Sequence, residues 1–335
     1  MAEPLAHPRE VYDYRGGEAV EAAFLDALAR GRLHHAWMLT GPEGMGKATF
    51  AYRAARRLLG GAADDRYGLL GVAPQDTEAQ LVAARSHPDL MVLERQSEDG
   101  KTKKFISVDN ARALPEFFAR SPSRSKYRVA IVDAADDMNH NAANAILKTL
   151  EEPPERGVLF LVAHTPGRLM ATLRSRCRRL AFRPWPEAEV ADFLRDRSKL
   201  GEDEVQALAR MAKGAPGRAL AMGAGQALEF DAMAHALVSG ELPTEAGLQH
   251  LADGFRGGEG QARFELLFER LAEAVRERVT TDQTGAGRGG SVERWVGLWD
   301  KLASAPGEAD AINLDRADVF WSMLVELKAL RAQTG

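Results

Sequence analysis

Ala36-Trp37-Met38-Leu39-Thr40-Gly41-Pro42-Glu43-Gly44-Met45-Gly46-Lys47 is the stretch whose reading decides the fold. The apolar run from Ala36 to Thr40 ends abruptly in Gly41-Pro42, which reads as a buried strand entering a turn. Gly41 to Lys47 spells G-x-x-x-x-G-K, the phosphate loop. In that loop glycines let backbone N–H groups turn inward on a phosphate. The following helix offers its positive end, and the lysine reaches the outer phosphates. Residues 48–59 return to helical periodicity, so the motif sits between strand and helix. That context separates it from an ordinary glycine turn with a solvated lysine.

Two nearby residues break the pattern. A Ser or Thr normally follows the lysine because its hydroxyl ligates Mg²⁺. Here the residue is Ala48, and Thr49 is one helical step, about 100°, away from that position. The second metal contact is expected at the end of another strand, and Arg128 to Asp133 fits: an apolar run closing on a carboxylate. A glutamate orienting the attacking water would come next, but the residue is Ala134. One departure removes a magnesium ligand and the other removes a base. The site reads as impaired for hydrolysis, with Gly41, Gly44, Gly46, Lys47 and Asp133 forming a degenerate nucleotide site. Asp133 could equally be a strand-end residue capping its turn.

Outward from the loop, strands at 36–40, 90–93, 127–132 and 158–162 alternate with helices at 20–33, 48–59 and 142–150. That alternation predicts a parallel sheet in an α/β layer fold. After Pro184-Trp185-Pro186 no strand is evident. Phe264, Leu267, Phe268, Leu271 and Val275 keep helical spacing, as do Val292, Trp295, Trp299 and Leu302. Trp295, Trp299 and Trp321 read as core or subunit interface, with no interleaved basic residues to make a nucleic-acid stacking platform. Residues 282–290 (DQTGAGRGG) read as a flexible loop between two helices.

The 335 residues suit two or three domains. Lys+Arg 44 against Asp+Glu 48 gives a formal net charge of −4, which argues against wholesale coating of nucleic acid. The single cysteine, Cys177, excludes an internal disulfide and a multi-cysteine metal site. The N-terminal residues lack an apolar segment and no run approaches the roughly 20 residues of a membrane span, so a cytoplasmic location is expected.

Three further segments carry chemistry. Leu147-Lys148-Thr149-Leu150-Glu151-Glu152-Pro153-Pro154 ends a helix on two carboxylates, where the macrodipole disfavours them. That placement points to a cationic partner or to a solvated helix end. Between Pro166 and Trp185 stand Arg168, Arg174, Arg176, Arg178, Arg179 and Arg183 with no acidic residue. Arginine suits bidentate phosphate contact, although a solvated basic face has the same composition. His34 and His35 read as loop or core histidines, and Lys101, Lys103 and Lys104 as a solvated basic run.

Leu33-His34-His35-Ala36-Trp37, the phosphate loop, L-K-T-L-E-E-P-P and Ser175-Arg176-Cys177 follow one another here as they do in bacterial clamp-loader AAA+ subunits of DNA polymerase III, which the chain resembles. The resemblance covers about residues 8–225 by motif and the remainder by helical character. It implies an AAA+ core with a parallel sheet over 1–185, a small helical lid over 186–225 and a helical collar over 226–335. Ala48 and Ala134 resemble the stator branch of the family rather than the gamma/tau motor branch. The family's lid arginine falls at Gly217, with Arg218 one position out of register, and its polar sensor at His164 or Thr165. Many relatives carry a four-cysteine zinc module where residues 60–87 have no cysteine, so zinc is excluded there.

The resemblance implies a subunit that helps load the sliding clamp onto primed DNA during replication. It would work beside gamma/tau and delta subunits, meet clamp and DNA through the complex, and make no membrane contact. Arg176 would act in trans, as an arginine finger in a neighbouring ATPase site. The chain would have no ATPase of its own while being part of the polymerase (nucleotidyltransferase) holoenzyme. No cofactor is required on this reading; binding of ATP or ADP without turnover stays open. The alternative is a catalytically active AAA+ P-loop ATPase, a gamma/tau-like motor or another remodeller, favoured by Lys47 and Asp133 and opposed by Ala48, Ala134 and Gly217.

Overall fold

A computed structural model describes residues 6–95, 97–98, 101–102, 105–223, 225–241, 243–257, 260–282 and 289–334. The chain divides into two compact units, Met1–Ala224 and Gly225–Gly335. In the first, five strands form one sheet: β1 (Ala36–Thr40), β2 (Leu90–Glu94), β3 (Arg128–Asp133), β4 (Gly157–Ala163) and β5 (Arg178–Ala181). Their order is β2-β3-β4-β1-β5, and every pairing is parallel. Parallel strands need crossovers that cover both faces, which is why β1 and β4 are buried throughout and almost wholly apolar. Period-two alternation divides them. Trp37, Leu39, Phe160 and Val162 join Phe24 and Phe50 on one face, while Met38, Leu159 and Leu161 join Ile146 and Leu150 on the other.

The helices of this unit are α1 (Glu18–Ala29), α2 (Lys47–Leu58), α3 (Thr77–Ala83), α4 (Val108–Ala119), α5 (His140–Glu151), α6 (Ala171–Ser175), α7 (Glu187–Arg197), α8 (Glu202–Met211) and α9 (Pro216–Gly223). Helix α1 spans 18–29 rather than the expected 20–33, and it ends early because Gly31 follows its cap with φ +65°. Strand β5 lies inside the arginine-rich run that reads as a basic face. It is an edge strand with only Leu180 buried, so charge hides its alternation. Lys101–Thr102 pairs antiparallel with Ser97–Glu98, while Lys103 and Lys104 lie outside the described residues.

The cysteine-free segment 60–87 is held by backbone and carboxylate contacts. Asp64 N–H donates to Gly71 O at 3.0 Å. Asp76 caps α3 by accepting from Glu78 N (2.9 Å) and Ala79 N (3.0 Å). Beneath it, buried Arg53 of α2 donates to Glu21 (2.7 Å), Tyr12 O (2.5 Å) and Tyr67 O (2.5 Å), tying the N-terminal segment, α1 and this module to one guanidinium.

The second unit contains only helices among its described residues: α10 (Ala227–Ser239), α11 (Glu245–Asp253), α12 (Gly260–Asp282), α13 (Gly289–Ala311) and α14 (Arg316–Thr334). The expected loop over 282–290 is bounded by the end of α12 and the start of α13, and residues 283–288 lie outside the described residues. Phe255, Phe264, Phe268, Trp295 and Phe320 form the core of this unit. Trp295 is buried, while Trp299, one helical turn on, is 36% exposed. No described helix is long and apolar enough to cross a membrane.

Candidate functional site

Thr40 delivers the chain to the loop at the carboxyl end of β1, the edge where α/β sheets carry ligands. Gly46 caps α2 in the left-handed region (φ +77°), which turns Lys47 into the first helical turn. Its ammonium points at its own loop: Nζ donates to Gly41 O at 2.6 Å and to Pro42 O at 2.5 Å. Lys47 is 2% exposed, and burial lowers its pKa to about 8 against the pull of Glu43, Asp133 and Asp136.

The start of α9 packs directly on the loop. Gly217 N–H donates to Gly44 O at 2.8 Å. A Cβ on Gly44 would stand 2.5 Å from Arg218 N, and one on Gly217 would stand 2.9 Å from Gly44 O. Only two glycines allow this backbone-on-backbone seat. Where the resemblance places a lid arginine, the chain therefore has a packing contact. The half-buried Tyr14 ring stands against Gly46, and burial of its hydroxyl drives the pKa upward. The Lys47 ammonium and part of the space around the loop are thus engaged by the chain itself. Ala48 and Ala134 add no oxygen, so these residues fit a magnesium nucleotide poorly. Among the described residues no His, Cys, Asp and Glu side chains gather as a metal site.

Asp133 closes β3 beside Glu94 of β2. Burial, then Glu94, raises its pKa to about 6, while Lys47 pulls it down. Asp136 accepts from the N–H groups of His164 and Thr165, the latter at 3.1 Å, fixing that turn through the backbone of both sensor candidates. Because the folded carboxyl of Asp133 resists ionisation, its charge costs stability above pH 6, and that cost disappears as pH falls toward the unfolded value near 4. Asp133→Asn should therefore stabilise the chain by about 1–3 kcal/mol at pH 7.5, with most of the gain gone by pH 4.5. Urea titrations at the two pH values check this; an equal gain at both contradicts the buried charge.

Arg176 lies elsewhere. It caps α6, two residues before β5 begins, and so sits at the amino edge of the sheet. The phosphate loop follows the carboxyl end of β1, the strand with which β5 pairs in parallel. About 10 Å of strand separates the two edges. The Arg176 Nη1 donates to Thr172 O at 3.0 Å and Nη2 pairs with Glu151 at 3.1 Å, leaving the side chain 36% exposed. The neighbouring arginines do other work: Arg178 lies 4.9 Å from the Trp37 ring, and Arg179 Nε donates to Thr40 Oγ1 at 2.8 Å. So Gly41, Gly44, Gly46, Lys47 and Asp133 come together, and Arg176 stands apart from them. Sequence reasoning missed Tyr14, whose only signal was a tyrosine in a polar N-terminal stretch, and Asp136, hidden among three acidic residues.

Residues 16–186, just over half of the chain, match the family model described as DNA polymerase III, delta subunit. DNA polymerase III subunit delta' of Pseudomonas aeruginosa is 39% identical over 157 residues, 47% of this chain and 45% of that protein. Subunit delta' of Escherichia coli is 34% identical over 223 residues, 63% of this chain and 62% of that protein. Subunit gamma of Buchnera aphidicola is 29% identical over 188 residues, 56% of this chain and 49% of that protein. The chain thus spans about half to three-fifths of the length of the delta' relatives it matches.

Proposed function

The chain belongs to the delta-prime family of DNA polymerase III clamp-loader subunits, and from that membership we propose that it is a stator, turning over no ATP itself and lending Arg176 to the ATP site of a neighbouring motor subunit. The observation that carries this reading is the placement of Arg176 at the sheet edge opposite its own phosphate loop. A guanidinium held there serves a site on another chain. It would meet the γ-phosphate as a planar, permanently charged fork and stabilise charge in the transition state. The lid and Tyr14 on the phosphate loop support the complementary half, a loop that no longer serves a nucleotide.

Its partners on this reading are gamma/tau-type motor subunits and a delta subunit, with the sliding clamp and primed DNA met through the complex. The core and lid (1–185 and 186–225) would present the finger, and the helical unit after 225 would join the collar. Two measurements test the proposal. A clamp loader reconstituted without this chain should fail to load clamps on primed DNA, and adding the chain should restore loading. The purified chain should hydrolyse ATP at background rates with or without primed DNA; steady turnover abolished by Lys47→Met would instead favour a motor.

A further inference from the structure

We infer that Glu151 is a positioning residue for Arg176, setting the orientation in which the finger is offered to the neighbouring site. The inference rests on the in-trans role of Arg176 proposed above. Glu151 is the last residue of α5, where the helix already presents its negative end and a carboxylate is unfavourable without a cation. Arg176 is that cation, its Nη2 3.1 Å from Glu151 Oε1. The pair joins two elements, because Nη1 of the same guanidinium donates to Thr172 O within α6. An unheld arginine samples many rotamers, whereas a fork held at both terminal nitrogens keeps its plane.

Two contacts leave three of the five N–H donors of the guanidinium for an incoming phosphate. The side chains are 36% and 52% exposed, so the pair is hydrated and yields readily to a more highly charged ligand. Glu151 therefore aims the finger without trapping it. The adjacent arginines do not share this support, since Arg178 stacks on Trp37 and Arg179 holds Thr40. The helix-ending carboxylate thereby acquires a function that its position in the chain leaves open.

The test is ATP hydrolysis by the DNA-stimulated clamp loader assembled with full-length chain carrying Glu151→Gln, Glu151→Asp, Arg176→Ala, or Glu151→Gln with Arg176→Ala. Misplacing a reacting group by about 1 Å costs up to about 10²-fold. Glu151→Gln should therefore lower kcat at the served site by about 10- to 10²-fold, with KM for ATP unchanged. Glu151→Asp should recover part of the rate, and the double variant should be no slower than Arg176→Ala alone. Wild-type rates in Glu151→Gln alongside a depressed Arg176→Ala would overturn the positioning role and leave the finger standing. A faster Glu151→Gln would overturn it by making the pair a restraint, and additive losses would do so by making the two effects independent. Should Arg176→Ala have no effect, the in-trans reading fails, and Glu151 positioning with it.

Discussion

Replacing Arg176 with alanine should leave a folded, assembling chain whose clamp loader hydrolyses ATP more slowly and loads clamps poorly. A finger supplied in trans is worth about 10³–10⁵ in rate at the site it serves. A complex with several ATP sites loses only that site's share of total hydrolysis, while loading, which needs coordinated firing, suffers more. Arg176→Lys should be nearly as poor, because an ammonium lacks the fork. Arg174→Ala removes the same charge two residues away and should be milder. Arg178→Ala removes a cation stacked on Trp37 and should act on stability before catalysis. Equal losses in all three alanine variants, mimicked by added salt, would make the arginines a screened patch.

Glu21→Ala should be the most destabilising single change in the first unit. Arg53 and Glu21 are 1% and 2% exposed and 2.7 Å apart. Glu21 also accepts from Leu70 N at 3.2 Å, so the pair pins the 60–72 segment. Removing one member of a buried pair strands the other charge and costs about 3–5 kcal/mol. Replacing both, as Glu21→Leu with Arg53→Met, should recover much of that loss, because the desolvation cost goes with the charges. Urea unfolding of the single and double variants reads this directly. A loss below about 1 kcal/mol in Glu21→Ala would mean that the pair is hydrated and contributes like a surface pair.

That pair also marks where the sequence stopped being legible. The strand–loop–helix from Ala36 to Leu58 announced itself through an apolar run, fixed glycines and helical spacing, and each element formed within a residue or two of its reading. Asp133 was visible because an apolar strand ended on it. Arg53 and Arg56 of α2 are both buried. Their partners are the Glu21 carboxylate and backbone carbonyls on other segments, and no local pattern encodes those. Strand β5 was lost for the opposite reason, since its exposed side chains are charged and edge strands bury little. The seat of Gly217 on Gly44 requires tertiary approach, and sequence showed only a missing arginine. The pairing of Glu151 with Arg176 was half visible: a carboxylate at a helix end asked for a cation, and only the fold supplied which one.

The central claim is that this chain contributes catalysis through Arg176 and none through its own phosphate loop. Its most direct test is DNA-stimulated ATP hydrolysis by a clamp loader in which this chain alone carries Lys47→Met, a substitution that removes the loop's charge while keeping most of the side-chain volume. The account predicts the wild-type rate, because Lys47 Nζ donates to Gly41 O and Pro42 O of its own loop. A rate reduced by one site's share, in a complex that still assembles, would contradict it and make this chain a motor.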